Sequence, residues 1–454
     1  MRRSLLFVFL MLCTCKPTGQ QEIATRAFSP HQAGVLNNPF PVPNLPVSIY
    51  SNTDLARDFL DLSFSLESGR ALPTFTRFEG PISVRLSGHP ASSLGVDLDR
   101  LIDRLRREAD LDINFTQSEA ANITIQSVSR ARLRRALPNA ACFVAPNVRS
   151  LSEFQQKRNT KVASWSHQTE RRTVAIFLPS DASPQEVRDC LHEEFAQALG
   201  PLNDLYRLPN SVFNDDNVHT VLTRFDMMIL KITYASELHS GMSRTQVQAR
   251  LPSLLARINP RGDSLAPSYL KATPRAWIDA IQTSLRPNVS IKKRRESAQK
   301  SVMIAQNSGW QDHRLGVSYF TLALMIQPQD PAQAQTLFQA AMNLFDRSAE
   351  SRLHGAYTAS HLASFALIDG HAQRALDLVM PHIKVARTHE NATLLVTLLL
   401  LQAEALDRLE RHPEARSVRL DSLLWAGYGF GTERAWNTKQ RDISELSRRL
   451  QNNG

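Results

Sequence analysis

At 454 residues and 42% hydrophobic, the chain can bury more than one core. A net charge of +10 at pH 7 would suit nucleic acid in a cytosolic protein. In an exported one it fits a surface facing anionic lipid, lipopolysaccharide or cell-wall polymers, so no nucleic-acid partner is expected. The phosphate-cradling, dinucleotide-binding and nucleophile-elbow glycine motifs are absent from the sequence, and no cofactor is expected.

The chain opens with Arg2 and Arg3 ahead of the apolar run LLFVFLML at 5–12. That run is too short to span a bilayer and suits a secretory signal. It ends in Leu12-Cys13-Thr14-Cys15, where an aliphatic residue stands three places before Cys15. The expectation is a lipoprotein signal at 1–15 with lipidation at Cys15; plain secretion with cleavage nearby is the other reading. Lys16, by resemblance to bacterial lipoproteins, points to the outer membrane of a Gram-negative cell and a periplasmic location. Residues 16–48, with NNPFPVPNLP, read as an extended Pro-rich tether.

From 49 to 262 the periodicity predicts one α+β domain. Helices are expected at 54–66 and 97–108, and strands at 81–87, 121–128, 141–144 and 173–178. Ser183 as N-cap, Pro184 in the first turn and Glu186 at the third position start a helix that stops at Gly200-Pro201. Further helices are expected at 222–238, with Asp226 in the first turns, and at 244–258 after a break at Gly241-Met242-Ser243.

The most informative stretch is CLHEEFAQALGPLNDLYRLPNSVFND at 190–215. A metzincin zinc site needs H-E-x-x-H-x-x-G-x-x-H and a later turn built around Met. With the template glycine on Gly200, the ligand positions become Glu193, Gln197 and Asn203, and the general-base position becomes Glu194. Ser211-Val212-Phe213 takes the place of the Met turn. Starting instead at His192-Glu193 puts Ala196 at the second ligand position. One carboxylate and two amides hold zinc poorly, so no metal is expected. The bland reading is that these groups cap helices and brace the turn. His192, His219 and His239 likewise read as surface or capping residues.

EEFAQALGPLND followed by SVFNDDN resembles a proteobacterial lipoprotein family catalogued as domain of unknown function 2927, over about residues 75–260. The resemblance implies Glu193, Glu194, Gln197, Gly200, Asn203, Asp204, Phe213, Asn214 and Asp215 as signature positions. It implies no activity.

Apart from Cys13 and Cys15, the chain holds only Cys142 and Cys190. In an oxidising periplasm that pair is expected to form a disulfide; a free, buried Cys142 is the alternative. Residues 263–300 read as a linker carrying the solvated basic cluster Lys292-Lys293-Arg294-Arg295. From 301 to 450 only helix pairs are expected. Ala334, Ala375 and Ala415 recur near a 40-residue spacing, after breaks at Asp330-Pro331, Asp369-Gly370 and His412-Pro413. This resembles tetratricopeptide hairpins, with a longer period and no signature Trp.

The fold class expected is therefore α+β: a zincin-like domain with a mixed sheet and signature helix, followed by an all-α helical-hairpin repeat domain. The function expected is a lipid-anchored envelope protein with a degenerate, non-catalytic metzincin-like domain. Its repeats would bind envelope proteins, and its lipid would hold the membrane. The alternative is a hydrolase of peptide or cell-wall substrates with Glu194 as general base on an unorthodox metal.

Overall fold

The computed structural model describes residues 25–27, 38–40, 50–214, 216 and 218–451. The signal segment 1–15 with Cys15, most of the stretch 16–48, and Asp215 lie outside the described residues.

The strands are β1 (Thr25–Ala27), β2 (Ile82–Gly88), β3 (Ile113–Phe115), β4 (Ile123–Val128), β5 (Ala140–Pro146) and β6 (Val174–Pro179). They form one mixed sheet in the order β1-β5-β6-β4-β2-β3. β3, β2, β4 and β6 run parallel, while β5 pairs antiparallel with β6 and β1 with β5. Every residue of β5 and β6 is buried, because helices cover both faces. The two-residue alternation sorts the side chains. Cys142, Val144, Val174, Ile176 and Leu178 enter the larger core, and Phe143, Ala145, Ala175 and Phe177 enter a smaller one.

Helices α1 (Asn52–Ser63), α2 (Ser92–Ala109), α3 (Arg130–Ala136), α4 (Leu151–Lys157), α5 (Pro184–Leu199), α6 (Arg224–Thr233) and α7 (Arg244–Ile258) accompany the sheet. Leu98, Leu101, Ile102 and Leu105 of α2 share its larger core with Leu191, Phe195 and Leu199 of α5. α3 and α4 supply Leu133, Leu151 and Phe154 to the opposite face. α6 is shorter than its apolar pattern suggests, since the chain leaves the helix at Tyr234.

Beyond the sheet the chain is helical: α8 (Arg275–Leu285), α9 (Ile291–Asn307), α10 (His313–Ile326), α11 (Pro331–Phe345), α12 (Arg352–Ile368), α13 (Ala372–Thr388), α14 (Ala392–Arg408), α15 (His412–Phe430) and α16 (Glu433–Gln451). Successive helices pack as hairpins, α8 on α9, α10 on α11, α12 on α13 and α14 on α15. Ala334, Ala375 and Ala415 are fully buried, each in the second helix of its hairpin, where a larger side chain would hold the pair apart. Among the described residues no helix is long and apolar enough to cross a membrane.

Two expectations differ from the structure. The stretch 263–300, read as a linker, contains α8 and the start of α9. The basic cluster fills the first turns of α9, behind the Ser290 N-cap. Charge density hid an amphipathic pattern there: Trp277 and Ile281 of α8 are buried against Trp310 and Leu315. The tether is the second difference. Thr25–Ala27 adds a strand to β5, and Phe40 is buried beside Trp425 and Tyr428 of α15 with ring centroids 4.7 and 6.5 Å away. A Pro-rich composition does not reveal that one Phe finds a pocket in distant helices.

Cys142 and Cys190 are joined, with Cα atoms 6.0 Å apart, so β5 is tied to the middle of α5. The bridge spans a sequence separation of 48. A loop of that size is worth roughly 4 kcal/mol in the chain-entropy account. Replacing both cysteines by alanine should lower the urea-unfolding free energy by about that amount. A loss under about 1 kcal/mol would mean that the bridge constrains little.

Candidate functional site

α5 carries the signature and is unusual in being polar yet buried over all sixteen residues. Its start follows from local chemistry: Ser183 Oγ accepts from the Glu186 amide at 3.2 Å, with Pro184 at the first position. Its end is held by Arg171, whose guanidinium donates to the carbonyls of Gln197, Ala198 and Gly200. A cation at the carbonyl end also favours the helix dipole. Arg171 packs over Trp165 with 4.7 Å to the ring centroid, and burial lowers its pKa to about 10, so it stays charged at neutral pH. Tyr234 OH donates to the Leu199 carbonyl at 2.9 Å. Gly200 is tightly enclosed: a Cβ there would lie 2.8 Å from Thr233 Cγ2.

A buried polar helix needs a partner for each charge. Gln185 donates to Asn391 Oδ1 at 3.2 Å and accepts from the Thr393 amide at 2.9 Å, both at the start of α14. Glu186 pairs with Arg130 at 2.5 Å. Arg188 reaches Glu390 at the α13–α14 turn, donating to its carboxylate at 2.9 Å and its carbonyl at 2.6 Å. His192 accepts at Nδ1 from the Leu222 amide at 3.1 Å. One face of α5 thus closes on the sheet and the other on the helical hairpins.

Glu194 and Gln197 are fully buried, and Glu193 and Asp204 nearly so. Gln197 Nε2 is 3.4 Å from Glu67 Oε1, a weak contact, while Asn203 donates to the Asp61 carbonyl of α1 at 3.0 Å. Asn214 donates to the Leu208 carbonyl at 2.8 Å, and Phe213 lies in the core. The amide hydrogens of Gln197, Asn203 and Asn214 thus brace neighbouring segments. Glu193, Gln197 and Asn203 do not fit zinc: they supply no imidazole, and Asn203 turns its amide to a backbone carbonyl. Among the described residues no group of three or more His, Cys, Asp or Glu is arranged to hold a metal ion.

The turn at Ser211-Val212-Phe213 is organised by Asp226, which sequence reading placed only as a helix-start residue. Its carboxylate accepts from Ser211 Oγ, from the Val212 amide at 3.2 Å and from the Thr223 amide at 2.7 Å. Thr223 and Asp226 also form a capping box on α6, and burial pushes the Asp226 pKa up despite these bonds. The D of a T-x-x-D pattern was the available signal; that it also holds a loop fifteen residues upstream was not.

His192 and His219, expected at the surface or as caps, are both buried; His239 is exposed. His192 is covered by the segment at Leu222, and the hairpins cover His219. His219 sits among His354 and His389, with ring centroids 6.5 and 5.3 Å away, and His313 lies 6.3 Å from His354. His219 Nε2 donates to the Pro209 carbonyl at 2.9 Å, and His313 Nε2 to the Tyr206 carbonyl at 2.7 Å. His354 Nε2 meets Asp216 Oδ2 at 2.8 Å. These contacts, with Tyr206 against Trp277 at 5.1 Å, seat the loop after α5 on three successive hairpins.

No curated protein matches the chain. Residues 52–253, which hold strands β2 to β6, α5 and the turn, match the model of the family described as "Protein of unknown function (DUF2927)".

Proposed function

We propose that the protein is a non-catalytic scaffold of the bacterial envelope, anchored to the outer membrane by lipid on Cys15 and facing the periplasm. In this reading a zincin-like unit has lost its metal site, and its signature helix serves as a mating element for tetratricopeptide-like hairpins that engage envelope proteins. The carrying observation is the complete burial of α5, with Glu194 fully enclosed. A general base must come within hydrogen-bond reach of its substrate, and Glu194 has no exposed surface. The mixed sheet, with antiparallel β5 beside β6 and β6 leading into α5, supports the zincin-like descent.

Glu194→Gln keeps size and shape while removing the base. In a strain lacking the gene it should restore whatever phenotype the loss causes, with an unchanged melting temperature. A variant that melts like the wild type but fails to complement would overturn the scaffold reading in favour of a hydrolase. The anchor has its own test: Cys15→Ser should move the protein from membranes to the soluble periplasmic fraction. Release by Cys13→Ser instead would reassign the lipidation site.

A further inference from the structure

The tip of the first hairpin concentrates positive charge. It runs from Leu285, the last residue of α8, through the turn at 286–290 into α9. Between 285 and 301 stand Arg286, Lys292, Lys293, Arg294, Arg295 and Lys300, with Glu296 as the sole carboxylate. That short stretch holds half of the chain's net charge of +10. Surface arginines elsewhere meet carboxylates, as Arg106 does Asp103, Arg257 Glu237 and Arg411 Glu414. Among the described residues none of the tip's cations forms an ion pair, and only Arg294 has a side-chain hydrogen bond, to the Ser284 carbonyl at 2.7 Å. The charges also oppose their own helix. Lys292 to Arg295 fill the first turns of α9, where the partial positive charge of the helix end disfavours cations.

Apolar side chains accompany them. Ile291 at the tip is 50% exposed and Met303 56%. Lys292 and Met303 lie about three turns apart and so share one side of α9. Ala298, Val302 and Ala305 on its other side are buried.

We propose that the outer side of α9 and the hairpin tip form a contact surface for a bilayer containing anionic phospholipid. The lysine ammonium groups meet the headgroup phosphates, and Ile291 and Met303 settle among the headgroups beside them. Two observations select lipid over a nucleic acid. Exposed aliphatic side chains gain nothing on a phosphodiester backbone, and residues 285–301 hold no aromatic ring on which a base would stack. The contact needs no lipid on Cys15, so its test stands apart from the anchored-scaffold reading.

Co-sedimentation with vesicles tests this, using the chain from Lys16 onward, which lacks the signal segment and any lipid but keeps every described residue. Vesicles of equal parts phosphatidylglycerol and phosphatidylcholine should bind it at least about a hundredfold more tightly than phosphatidylcholine alone. Lys292→Gln with Lys293→Gln should weaken that binding by about thirtyfold, roughly fivefold for each cation beside an anionic surface. Lys384→Gln with Arg416→Gln removes equal charge from exposed positions on α13 and α15, and should change binding by less than about twofold. A single-stranded oligonucleotide at equal phosphate concentration should bind at least about tenfold more weakly than the anionic vesicles. Four results would overturn the proposal: no effect of vesicle charge, undiminished binding by the Lys292 and Lys293 double variant, an equal loss in the distant double variant, or oligonucleotide binding as tight as vesicle binding.

Discussion

Arg188→Ala should lower the unfolding free energy by about 3–5 kcal/mol, the range for removing one partner of a buried ion pair. The guanidinium is 1% exposed and its Glu390 partner 7%. Besides Glu390 it reaches Thr220 Oγ1 at 3.4 Å and lies over the rings of Phe40 and Tyr428 at 5.6 and 5.2 Å. Burial works against its charge, but Tyr428, Glu390, Asp189 and Asp97 outweigh that and hold its pKa above the ordinary value. Alanine would leave the Glu390 carboxylate buried without its cation. Arg188→Met with Glu390→Gln should recover much of the loss, because both charges leave together. Urea unfolding of the full chain reads the effect. A loss under about 1 kcal/mol for Arg188→Ala would show that the seam is held by apolar packing instead.

Mild acid should act on the same seam. Burial, the largest influence, lowers the pKa of His219 to about 4, against the opposing pull of Asp216. It lowers His313 to about 4 as well, against Asp312. In both cases a nearby His354 adds to the lowering. Both imidazoles ordinarily titrate near 6.5. A depressed folded-state pKa means that the unfolded chain binds the proton first. The stability is fully present above pH 6.5 and is lost as pH falls toward 4. Each group contributes about 1.4 kcal/mol per pH unit across that window, so the pair removes about 7 kcal/mol in all. Asp312, held low by Arg314, loses its share only below the ordinary carboxylate range. Asp97 and Asp226, raised by burial, work in the opposite direction as pH falls. Urea midpoints measured from pH 7 to pH 4 should therefore fall steeply between 6.5 and 4.5. His219→Gln with His313→Gln should reduce the slope of that part of the profile, leaving the share of His192, His361 and His389, which burial lowers as well. An unchanged slope in the double variant would assign the acid sensitivity elsewhere.

Much of the local structure is legible in the chain. Ser183, Pro184 and Glu186 start α5 and Gly200 ends it, as the capping pattern requires. The β5 and β6 strands follow from continuous apolar runs, and the hairpins follow from Ala334, Ala375 and Ala415. Each of these signals is local, because backbone hydrogen bonds and side-chain periodicity act over a few residues.

What the chain could not disclose is where its charged residues would be buried. Arg188 lies 202 positions from Glu390, and Tyr428 donates to Asp97 across 331 positions. Arg171, Asp226 and the four histidines look like ordinary surface residues until a distant element covers them. Phe40 looks like part of an extended tether until Trp425 meets it. Burying a charge is unfavourable unless its partner arrives with it. The docking of the hairpins onto α5 brings Glu390 to Arg188 and Tyr428 to Asp97, so tertiary structure made a polar helix part of the core.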